Sequence, residues 1–223
     1  MQPGYICVAG IEPDTNQHIR PVLNHGRLPR SLLRKEGGVF EIGALVDLGA
    51  TTEVGHAPEV EDHEFSIANL KYRHKLKPDE FWEYLTETSE NRLAAIFGDE
   101  LRQRGSSCTV DVKAGEASLG NLTPERISYL GINAWHRIRI HVSDGKARPD
   151  LSVTDIRLYR NDQQTPRRRI VESVESRLPK TGVVLAVGLT RPWRKNGDTA
   201  QRHWLQVNNI HLEEDPLGKI FEF

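Results

Sequence analysis

Residues 183–212 constrain the fold most strongly, because two apolar runs are separated there by a turn-forming connection. The runs VVLAVGL and HWLQVNNIHL are rich in β-branched and aromatic residues, which strands favour. The connection contains Asn196-Gly197, a dipeptide typical of the tight turns of β-hairpins. The sequence therefore predicts a long β-hairpin.

The predicted hairpin connection is basic and contains a tryptophan. It holds four Lys/Arg, one acid and Trp193. Because cations bind phosphates and aromatic rings stack on unpaired bases, this composition indicates a contact with nucleic acid. The alternative is a solvated tip whose tryptophan folds back onto the core. The cations are Arg191, Arg194, Lys195 and Arg202.

Two other segments alternate between apolar and polar residues. Residues 135–142 (WHRIRIHV) direct three aliphatic side chains one way and Arg137, Arg139 and His141 the other, which predicts a half-buried strand with a cationic face. Residues 65–76 place three cations on one face, and a solvated surface explains these equally well. Residues 20–35 form a second basic segment, with five Lys/Arg and no acid.

Helix signals occur at three places. Pro78 with acids after it predicts one helix start, and Asn91 can cap the next helix. Thr165 and Pro166 predict the cap and first position of a third helix. The three arginines at 167–169 then lie in its first turn, where the helix dipole disfavours cations. A nearby phosphate would relieve this conflict, and a solvated arginine run is the simpler alternative.

About ten short strands with two or three helices and no βαβ alternation predict a mainly β protein with inserted helices, of the α+β class. Five strands and one helix, taken twice, are the inventory of two tandem five-stranded barrels of the oligonucleotide/oligosaccharide-binding (OB) type. A polar stretch at residues 103–107 marks the expected division. We expect a first OB-like domain with a helical insertion at residues 1–105 and a second with the basic hairpin at residues 106–223.

The charge is unevenly distributed along the chain. The net charge of the 223 residues is −1, but residues 1–150 carry −4 and residues 151–223 carry +3. An anion-binding surface should therefore lie mainly in the C-terminal part. Since no apolar run approaches the roughly 18 residues of a membrane span, we expect a cytoplasmic protein without a membrane partner.

Common catalytic signatures are absent from the sequence. It contains neither a Gly-rich phosphate loop followed by Lys-Ser/Thr, nor G-x-S-x-G, nor H-E-x-x-H. His203 and His211 share a strand face but lie roughly 26 Å apart at 3.3 Å per residue, too far to share an ion. Residues 56–64 are rich in His, Glu and Asp, and could form a metal site with Asp144 or Asp155. We expect neither a metal nor a cofactor, and a metal-dependent nuclease is the least favoured alternative.

Five short motifs stand out along the chain: CVAGI at 7–11, HIRPV at 18–22, TDIR at 154–157, GLT at 188–190 and WLQVN at 204–208. With these motifs the chain resembles a family of prokaryotic proteins described as dual OB-domain proteins. The resemblance implies two tandem OB-folds and a nucleic-acid-binding role in a defence or mobile-element system. No catalytic residues carry over from that family, and among the matching positions only Arg20 could touch a ligand.

The main hypothesis is a non-enzymatic protein that binds nucleic acid, with single-stranded DNA or RNA favoured because OB grooves track one backbone and stacking needs unpaired bases. The alternative is an interaction subunit that docks a nuclease or helicase effector through Trp204 and the apolar C-terminal tail. Arginines and a lysine would bind phosphates, and Trp193 or Tyr159 would stack on bases. The expected nucleic-acid-binding residues are Arg20, Arg137, Arg139, Tyr159, Arg191, Trp193, Arg194, Lys195 and Arg202.

Overall fold

The computed structural model describes residues 4–195 and 197–221, most of which build β-sheets with the connections between them. Asn196 of the predicted hairpin turn lies outside the described residues. The three α-helices of this part of the chain are α1 (Pro78–Glu87), α2 (Leu93–Phe97) and α3 (Arg168–Glu175). The prediction of a mainly β fold with few helices is confirmed.

The strands are numbered in chain order. The N-terminal strands are β1 (Tyr5–Ile6), β2 (Gly10–Ile11), β3 (His18–Val22), β4 (Leu28–Pro29), β5 (Ala44–Asp47), β6 (Thr52–Glu53), β7 (Asp62–Glu64) and β8 (Lys71–Lys75). The following strands are β9 (Ser89–Glu90), β10 (Arg102–Arg104), β11 (Ser107–Asp111), β12 (Leu119–Leu122), β13 (Arg126–Ile132), β14 (Ile138–Ser143), β15 (Asp150–Val153), β16 (Val183–Leu189) and β17 (Arg202–Leu212).

A nine-stranded sheet dominates the second half of the chain. Its main path runs β13-β14-β15-β17-β16-β12-β9, and β10 and β11 attach to the first part of β17. Strands β16 and β17 pair antiparallel from Val183 opposite Leu212 to Leu189 opposite Leu205, which confirms the predicted hairpin. Strand β17 also pairs parallel with β15.

Alternation along the strands of this sheet creates its core. Ile138, Ile140 and Val142 of β14 are buried, as the sequence predicts, whereas Arg139 points to the other face. Helices α2 and α3 add their apolar residues to the same cluster. At β14, β15 and the first part of β17 the sheet therefore has one apolar inner face and one polar outer face.

The N-terminal part forms smaller sheets around a separate core of Ile6, Leu28, Phe40 and Phe65. The largest has the order β2-β3-β7-β6, and β5-β8 and β1-β4 form pairs. In β2-β3-β7-β6 the successive pairings are antiparallel, parallel and antiparallel. The four strands β14-β15-β17-β16 show the same succession of pairings.

Several element boundaries differ from the sequence expectations. The predicted strand at 65–76 is a 3₁₀ turn followed by β8, whose Arg73 and Lys75 bond to Asp47 and Glu41, so its cations belong to a solvated, ion-paired face. The expected caps also change. Helix α2 begins at Leu93, whose N–H donates to the Asp144 carboxylate and not to the predicted cap, Asn91. Helix α3 begins at Arg168, and its cap position is Arg167 instead of the predicted Thr165.

The two five-stranded barrels of the sequence expectation are not confirmed. The strands form open sheets, and no closed barrel is found among residues 4–195 and 197–221. At one edge β12 pairs with β9, and Thr123, between β12 and β13, donates its N–H to the Glu90 carbonyl. The division after residue 105 remains a prediction, although α2 and β10 already pack with the larger sheet.

No helix in the described ranges combines the length and apolar composition that crossing a membrane requires.

Candidate nucleic-acid interface

The outer face of the large sheet presents polar side chains from neighbouring strands. Arg139 of β14 lies opposite Ser152 of β15, and Ser152 lies opposite Gln206 of β17. Residues directly opposite each other share a face, so these three side chains form a row on the polar side of the sheet. Trp204 and Arg202 continue this face along β17 because strand side chains alternate.

Two tryptophans lie together at the hairpin end of this face. The ring centroids of Trp193 and Trp204 are 5.6 Å apart, at an angle of 39°. The indole N–H of Trp204 donates to the Trp193 carbonyl at 3.2 Å, and Trp193 exchanges backbone hydrogen bonds with Arg202. Trp193 remains 45% exposed. Its ring thus packs against a neighbouring indole and still offers aromatic surface to a ligand.

Cations surround this tryptophan pair. The ammonium of Lys195 lies 5.4 Å from the centroid of the Trp204 ring, and both Lys195 and Arg194 are exposed. Neither forms an ion pair with a described carboxylate. The hairpin connection therefore combines aromatic surface and available positive charge, as the sequence predicts for a phosphate-and-base contact.

The guanidinium of Arg191 is directed away from this cluster. Its nitrogens lie 2.6 Å from Asp62 and 3.2 Å from Glu59, both in the N-terminal part of the chain. Burial alone would lower the pKa of Arg191, but the hydrogen bond and charge of Asp62 outweigh this effect and raise it. Arg191 thus joins the hairpin to the N-terminal sheet.

Arg20 lies inside the same ion-pair cluster. Only 5% of it is exposed, and its Nε donates to Asp62. Arg20 and Asp62 lie opposite each other in β3 and β7, on the face of the N-terminal sheet that Arg191 covers. The predicted ligand contact at Arg20 therefore has no access to a ligand in this structure.

Arg139 and Tyr159 are engaged in hydrogen bonds within the large sheet. The three guanidinium nitrogens of Arg139 donate to the carboxylate and carbonyl of Asp150 and to the Ser152 hydroxyl. The Tyr159 hydroxyl donates to the Val153 carbonyl at 2.8 Å. Both side chains are half-buried, so their polar groups hold β15 in place.

Arg202 lies beneath the hairpin and is only 8% exposed. Its Nε is 3.4 Å from the Asp111 carboxylate, and its Nη1 is 3.7 Å from that of Asp198. Neither nitrogen makes a hydrogen bond within the described residues. The charge of Arg202 is therefore buried close to two carboxylates, whereas Arg194 and Lys195 are exposed.

Trp135 is a candidate contact that the sequence analysis placed in a strand. Strand β14 begins only at Ile138, and residues 133–137 form a turn in which the Asn133 side chain accepts from the Trp135 and Arg137 N–H groups. Trp135 is 79% exposed and Arg137 is exposed beside it. The signal that could have revealed this is Asn133, whose side chain favours such turns.

The two tryptophan-bearing connections lie at opposite ends of the outer face. Strand β14 is antiparallel to β15, and β15 is parallel to β17, so β14 and β17 run in opposite directions. The turn at 133–137 leads into β14, and the hairpin connection leads into β17. Trp135 and Trp193 therefore flank the row of Arg139, Ser152 and Gln206 from either end.

An aromatic pair borders the face at β13 and β14. Tyr129 and His141 lie opposite each other, and their ring centroids are 4.9 Å apart. A Cβ at Gly131 would come within 2.4 Å of the Tyr129 hydroxyl oxygen, which shows that the phenol ring lies over this glycine. The sequence alone does not reveal this pair, because its contact depends on the register of two strands.

The acidic segment at 56–64 connects the two halves of the chain. The Glu61 carboxylate accepts hydrogen bonds from the N–H groups of Ser118 and Leu119 and from the Ser118 hydroxyl. Asp144 and Asp155, the suggested metal partners, bond instead to Leu93 and Arg157. No group of three His, Cys, Asp or Glu suited to a metal ion occurs in the part of the chain that the structure describes.

The C-terminal tail packs against its own chain. Phe221 is buried, with the Arg157 guanidinium 4.0 Å from its ring centroid, and Arg167 donates to the Phe221 carbonyl at 2.5 Å. Arg167, the first of the three arginines at 167–169, thus helps to hold the C-terminal tail in place. The described tail therefore offers little of the apolar surface on which the effector-docking alternative depended.

Comparison with known proteins identifies the family. A family model described as a dual OB-containing domain matches residues 1–210, which is most of the chain. Neither a curated protein nor a solved structure matches the chain. The match agrees with the motifs and the mainly β architecture, and the chain belongs to the family of dual OB-containing domain proteins.

Proposed function

We propose that this protein binds single-stranded nucleic acid, without catalysing a reaction, on the outer face of its C-terminal sheet. The observation that most directly supports this proposal is the exposed Trp193, which packs against Trp204 and has Arg194 and Lys195 next to it in the connection. Trp135 and Arg137 would contact the strand at the other end of the face. Aromatic surface with neighbouring cations suits a phosphate backbone with unstacked bases.

The strand order supports an OB-type arrangement for the C-terminal part. If β12 and β13 act as one interrupted first strand, then β14, β15, β16 and β17 supply the second to fifth, with α3 between the third and fourth. Strands 2 and 3 and the connections 1–2 and 4–5 are the ligand-binding elements of this partly open barrel. Those connections are residues 133–137 and the hairpin connection.

The repeated succession of pairings supports a second, smaller OB-type unit in the N-terminal part. Its parallel pair, β3 and β7, corresponds to β15 and β17. In this comparison, the pair Arg20 and Asp62 corresponds to the pair Ser152 and Gln206 on the ligand-binding face of the C-terminal unit. Arg191 covers the Arg20 and Asp62 pair, so the corresponding face of the N-terminal unit is not open to a ligand. We therefore assign ligand binding to the C-terminal unit and a supporting role to the N-terminal unit.

The domain limits, the biological context and the partner of the protein are proposals. The domain limits of 1–105 and 106–223 are retained as a proposal, with α2 and β10 packed on the second unit. A role in a prokaryotic defence or mobile-element system remains a proposal that rests on the family resemblance alone. An effector protein as partner also remains a proposal, and it now rests on Trp204, because the described C-terminal tail offers little apolar surface.

The test is fluorescence anisotropy of the full chain with labelled single-stranded DNA, single-stranded RNA and duplex DNA, at about 50 and 200 mM salt. We expect tighter binding to a single strand than to duplex, weakening as salt rises. The double variant Arg194→Gln/Lys195→Gln should weaken binding and reduce its salt dependence. Each lost phosphate contact lowers the slope of log K against log salt by about 0.7 on single strands.

The matched control is Lys71→Gln/Lys180→Gln, which removes two exposed positive charges elsewhere on the molecule. It should leave affinity and salt slope nearly unchanged. Equal losses in both double variants would mean that net charge, and not the hairpin, governs binding. Absence of binding to all three nucleic acids at low salt would refute the proposed function.

A further inference from the structure

Strands β10 and β11 widen the outer face beyond the five strands of the OB-type unit. They form a hairpin with a turn at Gly105 and Ser106, and β11 pairs with the first residues of β17. The Asp150 N–H donates to the Ser106 carbonyl at 2.7 Å, so this hairpin continues the edge at which β15 begins. The added strands therefore lie beside the base of the Trp193 connection.

The register places two arginines of β10 on the face that carries Trp204. Thr109 lies opposite both Arg102 and Trp204, so the three side chains form one row. Arg104 lies two residues further along β10 and shares this face. Two strand spacings separate Arg102 from Trp204, which is about 10 Å between their Cα atoms.

The opposite face of β10 and β11 is directed towards the core. Cys108 and Val110 are buried in the main apolar cluster, and Gln103 lies opposite Cys108. Thr109 points to the outer face and is nevertheless only 1% exposed. Other groups therefore cover Thr109, whereas Arg102 and Arg104 on the neighbouring strand are exposed.

These arginines are accessible and carry positive charge close to the hairpin connection. All three residues of β10 are exposed. Arg102 donates one bond to the Asp99 carbonyl, and Arg104 forms no ion pair with any carboxylate of the described residues. Asp198 in the connection has its pKa lowered by the Ala200 N–H and by the charges of Arg202 and Arg104. The charge of Arg104 thus reaches Asp198 in the hairpin connection.

We propose that Arg102 and Arg104 form a phosphate-binding extension of the nucleic-acid site. A single strand whose base stacks on Trp193 would continue past Trp204 onto β10, where the two guanidinium groups would bind its phosphodiester backbone. Arginine suits this role because its planar fork matches phosphate oxygens. This inference rests on the proposed function and adds residues that lie outside the OB-type unit.

The experiment measures the salt dependence of binding to labelled oligo(dT) and oligo(U) by anisotropy, for the full-length chain and its Arg102→Gln/Arg104→Gln variant. Loss of two phosphate contacts should reduce the slope of log K against log salt by about 1.4. The ratio of the affinity at about 50 mM salt to the affinity at 200 mM should be about 7-fold smaller for this variant than for the unmodified protein. The Lys71→Gln/Lys180→Gln variant should retain the original slope.

Each outcome distinguishes this inference from the proposed function. If Arg194→Gln/Lys195→Gln lowers the slope and Arg102→Gln/Arg104→Gln does not, the extension is wrong and the hairpin site stands. If the unmodified protein binds neither oligonucleotide, both fail. Binding of an acidic peptide that the β10 variant abolishes, with unchanged oligonucleotide binding, would assign β10 to a protein partner and overturn the inference.

Since the β10 variant changes exposed side chains, we expect it to fold normally. Urea unfolding should confirm a midpoint close to that of the unmodified protein. The single variant Arg104→Lys provides a second test, because it keeps the charge and removes the planar fork. It should retain most of the salt slope while weakening binding, whereas a wholly unchanged affinity in Arg104→Lys and Arg104→Gln would exclude Arg104 from the site.

Discussion

The Nη2 atom of Arg191 lies 2.6 Å from the Oδ2 atom of Asp62, although 129 residues separate them in the chain. Asp62 also accepts from Arg20, so one carboxylate serves two arginines. Glu59 lies 3.2 Å from Arg191 and 3.5 Å from His203 of β17. The N-terminal sheet therefore holds the base of the hairpin that carries Trp193.

Replacing Asp62 should destabilise the whole chain. Asp62→Asn removes the charge that compensates Arg20, which is almost fully buried, and the breaking of a buried ion pair typically costs about 3 to 5 kcal/mol. Because Arg191 keeps partial compensation from Glu59, we expect a loss near the lower limit, about 3 kcal/mol in the free energy of unfolding. Urea unfolding at neutral pH measures it.

The matched control for Asp62 is Glu214→Gln. Glu214 pairs with Arg177 at 2.6 Å, but both side chains are more than 40% exposed. A solvent-exposed pair contributes at most about 1 kcal/mol, so this variant should unfold near the original midpoint. Equal destabilisation by the two substitutions would contradict the structural importance assigned to Asp62.

Removal of the Trp193 ring should weaken binding of a single strand. Stacking of a base on an aromatic side chain contributes about 1 to 3 kcal/mol, which corresponds to roughly 5- to 150-fold in Kd for Trp193→Ala. Trp193→Phe keeps an aromatic face and should retain most of the affinity. Anisotropy titration measures both variants, and unchanged affinity of Trp193→Ala would remove this residue from the site.

Replacement of Trp135 should affect binding without affecting stability. The side chain is 79% exposed, so Trp135→Ala should change the free energy of unfolding by about 0.5 kcal/mol at most. Trp193 lies opposite Arg202, which is four residues, or roughly 13 Å, from Gln206 along β17. Trp135 lies on the far side of the row that contains Gln206, so the two tryptophans are well separated. Distant sites act independently, so the losses of Trp135→Ala and Trp193→Ala should add within about 0.5 kcal/mol in the double variant. Full affinity of Trp135→Ala would confine the site to the hairpin end.

Stability should fall between neutral and mildly acidic pH because of His211. Complete burial, assisted by the charge of Arg157, lowers the pKa of His211 from 6.5 to about 4. Its Nδ1 lies 3.1 Å from the Pro216 carbonyl oxygen, and Phe81 packs edge-on against its ring. Below pH 6.5 the unfolded chain takes up a proton that the folded chain does not, so stability decreases as the pH falls from 6.5 towards 4.

This contribution of His211 amounts to about 1.4 kcal/mol per pH unit, or about 2 kcal/mol between pH 7.5 and pH 5. His211→Gln keeps a donor for the Pro216 carbonyl and cannot titrate. Urea unfolding of both proteins at the two pH values should show a pH dependence that is smaller in the variant by about that amount. Parallel pH profiles would show that folding does not lower the pKa of His211.

The sequence predicted the elements whose signals are local. The β16–β17 hairpin follows from two apolar runs around a turn, and the burial of Ile138, Ile140 and Val142 follows from alternation. The family motifs correctly identified a dual OB-containing chain. Predictions failed where tertiary contacts replaced a local signal, as at α2, whose first N–H donates to Asp144 from another part of the chain.

The sequence predicted a cationic site but could not separate accessible cations from those with internal partners. Arg20, Arg139 and Arg191 match the expected composition as well as Arg194 and Lys195 do. Their carboxylate partners, Asp62, Asp150 and Glu59, are brought to them by strand register and by the packing of the two halves. The same register places Arg102 and Arg104 on the face that carries Trp204, although about a hundred residues separate them from it in the chain.

By itself, the sequence determined the mainly β class, the hairpin and the concentration of cations and aromatic residues around Trp193. These features depend on side-chain periodicity and turn propensity, which act over a few residues. Only the tertiary structure decided which cations face solvent, because an ion pair forms between groups that folding brings together from distant positions. The candidate site consists of exposed aromatic rings and of cations that form no ion pair among the described residues, and these properties depend on the whole fold.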